Sequence, residues 1–303
     1  MSTPRFIAVD WGTSNFRAYL ADGGGKVLDY VEQARGILAV EDRKFADVLK
    51  AGIGGWTADY SPLPIMMSGM IGSRQGWVEA PYVRCPASVE DLARALTVIQ
   101  ADGIGTVHLV PGLDHAPPGA PPDVIRGEEA QAFGAMAMES TKNGTFVQPG
   151  THSKWINVAD GKITGFSTYM TGEVFAALKG HTILGRLMTT EAADGSGFLK
   201  GVEAARTEGT PGDLLNRLFS VRTLGLFDRL PARELSDYLS GLLIGSEVIA
   251  AATPGEPITI FGSGDLTARY GKAAETLGLS WKRGPADSVV VGQLEIAQAA
   301  GLL

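Results

Sequence analysis

Residues 6–22, "FIAVDWGTSNFRAYLAD", decide the fold. An apolar run over 5–10 reads as a strand and ends at an acid, Asp10. A tight Gly-Thr-Ser turn follows, and 15–21 reads as a second strand returning behind Arg17. "DGGGKV" is a strong hairpin signal and leads into a third strand at 27–32. A carboxylate, a glycine and two hydroxyls thus stand at one strand-to-strand corner. Backbone N–H groups in such a turn can converge on phosphate oxygens, and small residues allow close approach.

The pattern returns later. "GTFVQPGTHSKWINVADGKITGFSTYMTG", residues 144–172, again reads strand, Gly-Thr-His-Ser turn, strand, Asp-Gly turn, strand. The Gly-Thr turns at 12–13 and 150–151 each lead to a hairpin turn, at 23–25 and 160–161, a weak internal repeat. A third glycine-hydroxyl turn, "FGSGDL" at 261–266, follows an apolar strand and opens a helix. The candidate phosphate contacts in these turns are Gly12, Thr13 and Ser14; Gly150, Thr151, His152 and Ser153, with Lys154 beside them; and Gly262, Ser263 and Gly264. There is no G-x-x-x-x-G-K-[ST], and "GSGDLTARYG" lacks the G-x-G-x-x-G spacing, so a P-loop is excluded and a Rossmann site disfavoured.

Between these turns, 42–54 reads as an amphipathic helix and "LPIMMSGMIG", 63–72, as a buried strand entering a glycine-rich loop. Ser88 caps a helix expected over 89–101, and "GTVHLVPG" is another buried strand. "LDHAPPGAPPD", 113–123, is too rich in proline for a regular helix or a central strand and is read either as a lid or as a plain surface loop. A helix starts near Gly127 with Glu128 and Glu129 leading. Helices follow over 173–190, 198–207 and 211–252, then strand, turn and helix from 257, a short strand in "LSWKRG" and a final helix of small residues. The boundary near 145 gives domains 1–145 and 146–303.

The chain has 303 residues, 45% hydrophobic and 19% charged, with net charge −7, which suits one large or two medium domains and argues against a polyanion-coating protein. Cys85 is the only cysteine, so no intrachain disulfide forms, which fits a reducing cytoplasm. No basic and apolar leader opens the sequence, and no run nears the roughly 18 apolar residues of a membrane span. The expectation is a soluble, cytoplasmic protein with no nucleic acid or membrane partner.

The set of turns resembles the actin–hexokinase–sugar kinase superfamily. Within it, "AVDWGTSNFRAYL", "SGMIGSRQGWVEAPYVRCPA", "DVIRGEEAQAFGA", "PGTHSKWI" and "FSTYMTGE" resemble the signatures of the 2-dehydro-3-deoxygalactonokinase family, in order and over essentially the full length. The resemblance implies an α/β, two-domain actin-like and hexokinase-like (ribonuclease H-like) fold, with mixed sheets and a central cleft that closes over its substrates. Its last helix would cross back to the first domain. It implies a phosphotransferase with an alcohol group as acceptor, using ATP and Mg²⁺. The acceptor would be 2-dehydro-3-deoxy-D-galactonate, phosphorylated at its 6-hydroxyl in galactonate catabolism. The sugar acid and ATP are the implied partners, and a homodimer is left open. Two other readings stand beside it: a kinase for another sugar acid such as 2-dehydro-3-deoxygluconate, and a non-kinase actin-like nucleotide switch.

By the resemblance, Asp10 acts through Mg²⁺, by way of a coordinated water, and Thr13 and Ser14 present N–H and OH groups to phosphate. The Arg17 fork reaches a phosphate oxygen. The second loop departs from the superfamily, where an Asp often precedes the glycine; here Gln148 and Pro149 do. The candidates for accepting the hydroxyl proton are Glu128, Glu129, Asp123 and Asp114, with Glu128 first by analogy with the exopolyphosphatase branch. The acceptor's carboxylate calls for an arginine: Arg74 first, with Ser73, Gln75 and Trp77 as walls and donors, and Arg126 second; Arg84 is read as structural. Gly262, Ser263 and Gly264 would let adenine and ribose lie against backbone, with Asp265 near the ribose. "GLLIGSEV" would form another wall of that pocket or pack helices through Gly241 and Gly245.

Overall fold

A computed structural model describes residues 3–60, 62–206, 213–262 and 264–303. The chain divides into two compact units. The first takes Met1–Asn143, Ile156–Phe166 and Pro285–Leu303; the second takes Gly144–Trp155 and Ser167–Gly284. Both are mixed α/β.

The first unit opens with β1 (Phe6–Trp11), β2 (Phe16–Ala21) and β3 (Val27–Gln33), an antiparallel meander. Helix α1 (Phe45–Asp59) follows, then β4 (Ile65–Ser68), β5 (Tyr82–Arg84), α2 (Val89–Arg94), β6 (Thr97–Ala101), β7 (Gly105–Leu109), β8 (Gly112–His115), β9 (Asp123–Ile125) and α3 (Glu128–Glu139). Six strands form one sheet in the order β3-β2-β1-β4-β7-β6. Strand β1 runs parallel to β4 and is buried along nearly its whole length, which is why it reads as an unbroken apolar run. Helix α1 buries Phe45, Val48, Leu49, Ile53 and Trp56, one face at helical spacing, into a core with Val9, Trp11 and Phe16.

Two expectations are corrected here. The helix begun at Ser88 ends at Arg94, and Thr97–Ala101 is strand β6, antiparallel to β7. Ser88 and Asp91 form a reciprocal capping box that fixes the helix start, but Thr97, Val98 and Ile99 are β-branched and alternate in burial, so the sheet claims them. The segment 113–123 does supply a central strand: β8 lies in the middle of a three-stranded sheet, β5-β8-β9. Its residues Leu113 and Asp114 precede the first proline and pair with Ile125 and Val124.

The second unit carries β10 (Gly144–Gln148) and parts of β11 (Ser153–Ala159) and β12 (Lys162–Tyr169), whose hairpin tip counts with the first unit. Then come α4 (Thr171–His181), α5 (Ser196–Arg206), α6 (Leu214–Leu218), α7 (Ser220–Leu226), α8 (Leu235–Ala251), β13 (Ile258–Ile260), α9 (Asp265–Thr276) and β14 (Trp281–Arg283). The sheet order is β12-β11-β10-β13-β14. Helices α5 and α8 cross where side chains are missing: a Cβ on Gly241 would strike the Phe198 carbonyl, and one on Gly201 the Tyr238 carbonyl. Helix α4 ends at His181, short of the helix expected to 190, because Thr182 is extended and its hydroxyl accepts from Leu184 N–H to start a separate 3₁₀ turn.

The last helix, α10 (Ser288–Ala299), belongs to the first unit and packs on α3. Among the described residues no helix is long and apolar enough to cross a membrane.

Candidate active site

Strand β1 delivers Asp10 to the end of the sheet. Asp10 stands opposite Arg17 on β2 and Ser68 on β4. The Arg17 guanidinium is shared: Nε donates to Glu32 at 2.8 Å and Nη1 lies 3.6 Å from Asp10 Oδ2. The turn beyond Asp10 is held from behind. Gly36 N–H donates to the Ser14 carbonyl and Ile37 N–H to that of Gly12, while Thr13 and Ser14 are exposed.

Two glycines bring the start of α3 to this corner. Gly69, just after β4, has φ 96°, and a Cβ there would lie 2.8 Å from the Trp11 carbonyl and 3.3 Å from Asp10 Oδ1. Gly127 has φ 109°, and a Cβ there would lie 2.9 Å from Gly69 Cα. Only glycine fits such backbone-to-backbone approach at positive φ. The two glutamates then turn back onto the helix entry. Glu128 accepts from Arg126 N–H at 2.8 Å, and the fully buried Glu129 takes Gly127 N–H with both oxygens, at 2.8 and 2.7 Å.

This crowding shows in the acids. Burial pushes the Asp10 carboxyl up to about 6, with Arg17 pulling it down and Glu128 adding a smaller push. Burial, and next the charge of Glu128, push Glu129 up to about 8. Asp10 and Glu128 thus sit within electrostatic reach of each other, two hard oxygen donors at one corner.

The sugar-acid candidates separate. Arg74 is 87% exposed and 3.5 Å from Glu79, and Gln75 is exposed. Ser73 is buried and spends its hydroxyl on the Met70 carbonyl at 2.7 Å; Trp77 stacks on Phe45 at 6.4 Å between ring centroids. Arg126 is buried, donates from Nη2 to the Ala80 carbonyl at 2.8 Å and lies 4.3 Å over the Tyr82 ring. Its Nε and Nη1 are buried without a partner among the described residues. Of the other acids, Asp114 is engaged by Arg84 at 2.5 Å, while Asp123 accepts from Val124 N–H at the start of β9.

The second unit holds an open cavity of about 670 Å³. Gly150 and Thr151 form one end with Thr171 and Gly172 at the start of α4; a Cβ on Gly172 would strike the Gly150 carbonyl. Phe175, Leu243, Ile244 and Leu266 are its apolar walls, and Lys179, Ser236, Asp237, Ser240, Asp265 and Arg269 its polar ones. Gly262 and Gly264 flank the entry to α9, whose first residues line the cavity; Ser263 lies outside the described residues. Leu243 and Ile244, from "GLLIGSEV", line the cavity, while Gly241 and Gly245 pack against α5.

His152, Ser153 and Lys154 do not line this cavity. His152 Nε2 is 2.5 Å from Glu173, and Lys154 Nζ donates to Thr168 at 2.8 Å. Ser153 Oγ lies 3.2 Å from the Tyr270 hydroxyl; that hydroxyl donates to buried Glu247 at 2.6 Å, and Trp155 Nε1 donates to Glu247 at 2.8 Å. The loop is thereby tied to α8 and α9 from beneath. Gln148, at the end of β10, has a buried Oε1 with no partner among the described residues. The sequence reading missed Thr171, Gly172, Lys179, Asp237 and Arg269. The first two lie inside a quoted signature; the Arg269–Asp237 pair, 2.8 Å apart, joins residues distant in sequence and leaves no local pattern.

Similar proteins match most of the chain. The model of the 2-keto-3-deoxy-galactonokinase family matches residues 10–296. A curated Rhizobium meliloti (strain 1021) protein, named as probable 2-dehydro-3-deoxygalactonokinase DgoK1, is 37% identical over 301 residues, 97% of each chain. The Escherichia coli (strain K12) 2-dehydro-3-deoxygalactonokinase is 34% identical over 285 residues, 91% of each chain. A crystal structure of a Sinorhizobium meliloti protein assigned to the same activity superposes with a TM-score of 0.86 at 38% identity, covering 98% of this chain and 100% of that one. The match takes in the Asp10 corner, the stretch around Arg74 and Arg126, the second glycine turn and nearly all of the last helix, and on that extent the chain belongs to the 2-keto-3-deoxy-galactonokinase family.

Proposed function

We propose that this chain transfers the γ-phosphoryl group of ATP to the 6-hydroxyl of 2-dehydro-3-deoxy-D-galactonate, giving ADP and 2-dehydro-3-deoxy-6-phospho-D-galactonate. The observation that carries the chemistry is the close approach of Gly127, just before Glu128, to Gly69 beside Asp10, which brings the start of α3 to the Asp10 corner. The names of the relatives supply the acceptor.

In this reading the cavity of the second unit takes the nucleoside. Its apolar walls fit a base, and Gly150 and Thr151 turn backbone toward phosphate. In the first unit, Gly12, Thr13 and Ser14 contact phosphate and Arg17 offsets charge on it. Mg²⁺ fits the corner. It is usually held by one or two carboxylates with phosphates and water, and a cation there would stabilise the Asp10 carboxylate that burial disfavours. Asp10 would hold it, by way of a coordinated water. Bound there, it would draw off charge developing on the transferred group.

Glu128 accepts the proton of the 6-hydroxyl as its oxygen bonds to phosphorus and the bond to the β-phosphate oxygen breaks. Arg126 and Arg74 are the proposed partners of the acceptor's carboxylate. Arg126 has the stronger physical case, because a buried guanidinium with two unused donors lacks a partner that a carboxylate would supply. ADP release measured over a panel of sugar acids tests the reading. Turnover that appears with 2-dehydro-3-deoxy-D-galactonate supports it, and turnover independent of any acceptor rejects it.

A further inference from the structure

We propose that Gln293, on the final helix, is a positioning residue for the Asp10–Glu128 corner. The inference rests on the reading of Asp10 given above.

Gln293 is fully buried and lies more than 220 residues from everything its amide touches. Its Oε1 accepts from Val9 N–H at 3.2 Å, and its Nε2 donates to the Val9 carbonyl at 2.9 Å and to Ser68 Oγ at 2.8 Å. Val9 is the residue before Asp10. Ser68 is the residue opposite Asp10 on β4 and the one before Gly69. A single amide therefore bridges the two parallel strands at the level of the candidate metal-holding acid. The bridge needs both donors and the acceptor, which among side chains of this length only glutamine supplies.

The neighbouring residue completes the device. A Cβ on Gly292 would strike the Ala130 carbonyl of α3, and one on Gly134 of α3 would strike the Ser288 carbonyl of α10. The helices meet backbone to backbone, so α10 fixes where α3 begins, at Glu128. Gly292 references Glu128 and Gln293 references Asp10 to one turn of one helix. A catalytic pair that must hold its separation to a fraction of an ångström gains from such a shared support.

A plain structural staple would behave differently. It would lower stability and leave the kinetics of the folded protein alone. The test uses the full chain with 2-dehydro-3-deoxy-D-galactonate and ATP, comparing wild type, Gln293→Met, Ser68→Ala, Asp10→Asn and the Asp10→Asn/Gln293→Met double variant. For Gln293→Met we expect kcat about tenfold lower or less, half-maximal Mg²⁺ raised about threefold, and the sugar-acid KM within about twofold of wild type. By calorimetry, ATP binding should weaken in the presence of Mg²⁺ and not in EDTA. In the Asp10→Asn background the same change should cost less than about twofold in kcat, because the group it positions is gone.

A kcat per folded molecule within about twofold of wild type, or the full loss repeated in the Asp10→Asn background, overturns the proposal. Should Gln293→Met fail to fold, Ser68→Ala decides: a fall in kcat with a raised Mg²⁺ requirement supports positioning, and wild-type kinetics overturns it. If Asp10→Asn itself keeps full activity, the underlying reading fails and this inference with it. If Asp10→Asn is inactive and the other variants are normal, this inference fails alone.

Discussion

Gly127 and Gly69 touch through their backbones: a Cβ on the first would lie 2.9 Å from the Cα of the second. That contact carries the start of α3 to the Asp10 corner. Gly127→Ala meets two obstacles there, a positive φ and a backbone neighbour that cannot step aside. We expect a loss of about 2–3 kcal/mol in stability and at least about a tenfold fall in kcat of the folded fraction. Urea melts and kinetics on the same sample check both; an alanine variant with wild-type stability would remove the contact from the account.

Asp10→Asn keeps the shape of the corner and removes the charge. It should cut kcat by about a hundredfold or more through lost positioning of Mg²⁺. Steady-state rates at saturating ATP and sugar acid measure this, and a near-normal kcat would take Asp10 out of the mechanism.

The buried acids give the free protein a pH dependence. Asp10 rises from 3.8 to about 6 and Glu129 from 4.5 to about 8. With a folded pKa above the unfolded one, each holds a proton in the native state where the unfolded chain has released it. Their contribution is full below the ordinary carboxylate values and is lost as pH rises through about 6 for Asp10 and about 8 for Glu129, at up to about 1.4 kcal/mol per pH unit for each group. Without nucleotide or metal, stability to urea should therefore fall between about pH 5 and pH 8. Glu129→Gln keeps an acceptor for Gly127 N–H and should flatten that fall. Equal slopes in the two proteins would contradict the assignment to Glu129.

The two arginines make opposite cases. Arg74 is exposed, and its contact with Glu79 is of a kind worth at most about 1 kcal/mol, so Arg74→Ala should leave stability unchanged. It should raise the sugar-acid KM a few-fold and spare the ATP KM. Arg126→Gln should raise the same KM by an order of magnitude, about 1.4 kcal/mol or more of lost binding. A shift in the ATP KM instead would mean that the acceptor site lies elsewhere.

Tyr270→Phe leaves buried Glu247 with one partner fewer and frees Ser153 beneath the second glycine turn. About 1–3 kcal/mol of stability should go, and the ATP KM should rise while the sugar-acid KM holds. Thermal melts and paired KM determinations check this; an unchanged ATP KM would separate the network from nucleotide binding.

Where the signal is local, the sequence is readable. Apolar runs and glycine turns mark β1, β2 and β3, and two acids after Gly127 mark the start of α3. The few apolar residues of Thr97–Ala101, after a good cap, fit either period, and only pairing with β7 decides for strand. Leu113 lost its strand to the prolines that follow it. The candidate site is less legible still. Ser68 and Gln293 stand 225 residues apart, and Arg269 and Asp237 come from separate helices, so no window of sequence holds either pair. Their roles exist only in the packed chain, where a buried amide or guanidinium must find a partner.

The central claim is phosphoryl transfer to the 6-hydroxyl of 2-dehydro-3-deoxy-D-galactonate. Phosphorus NMR of the purified chain with ATP, Mg²⁺ and this sugar acid tests it most directly. The account predicts a phosphate monoester coupled to the C6 protons, formed in step with ADP and absent when the sugar acid is withheld. ADP accompanied only by inorganic phosphate, or ATP left unchanged beside the acceptor, would contradict it.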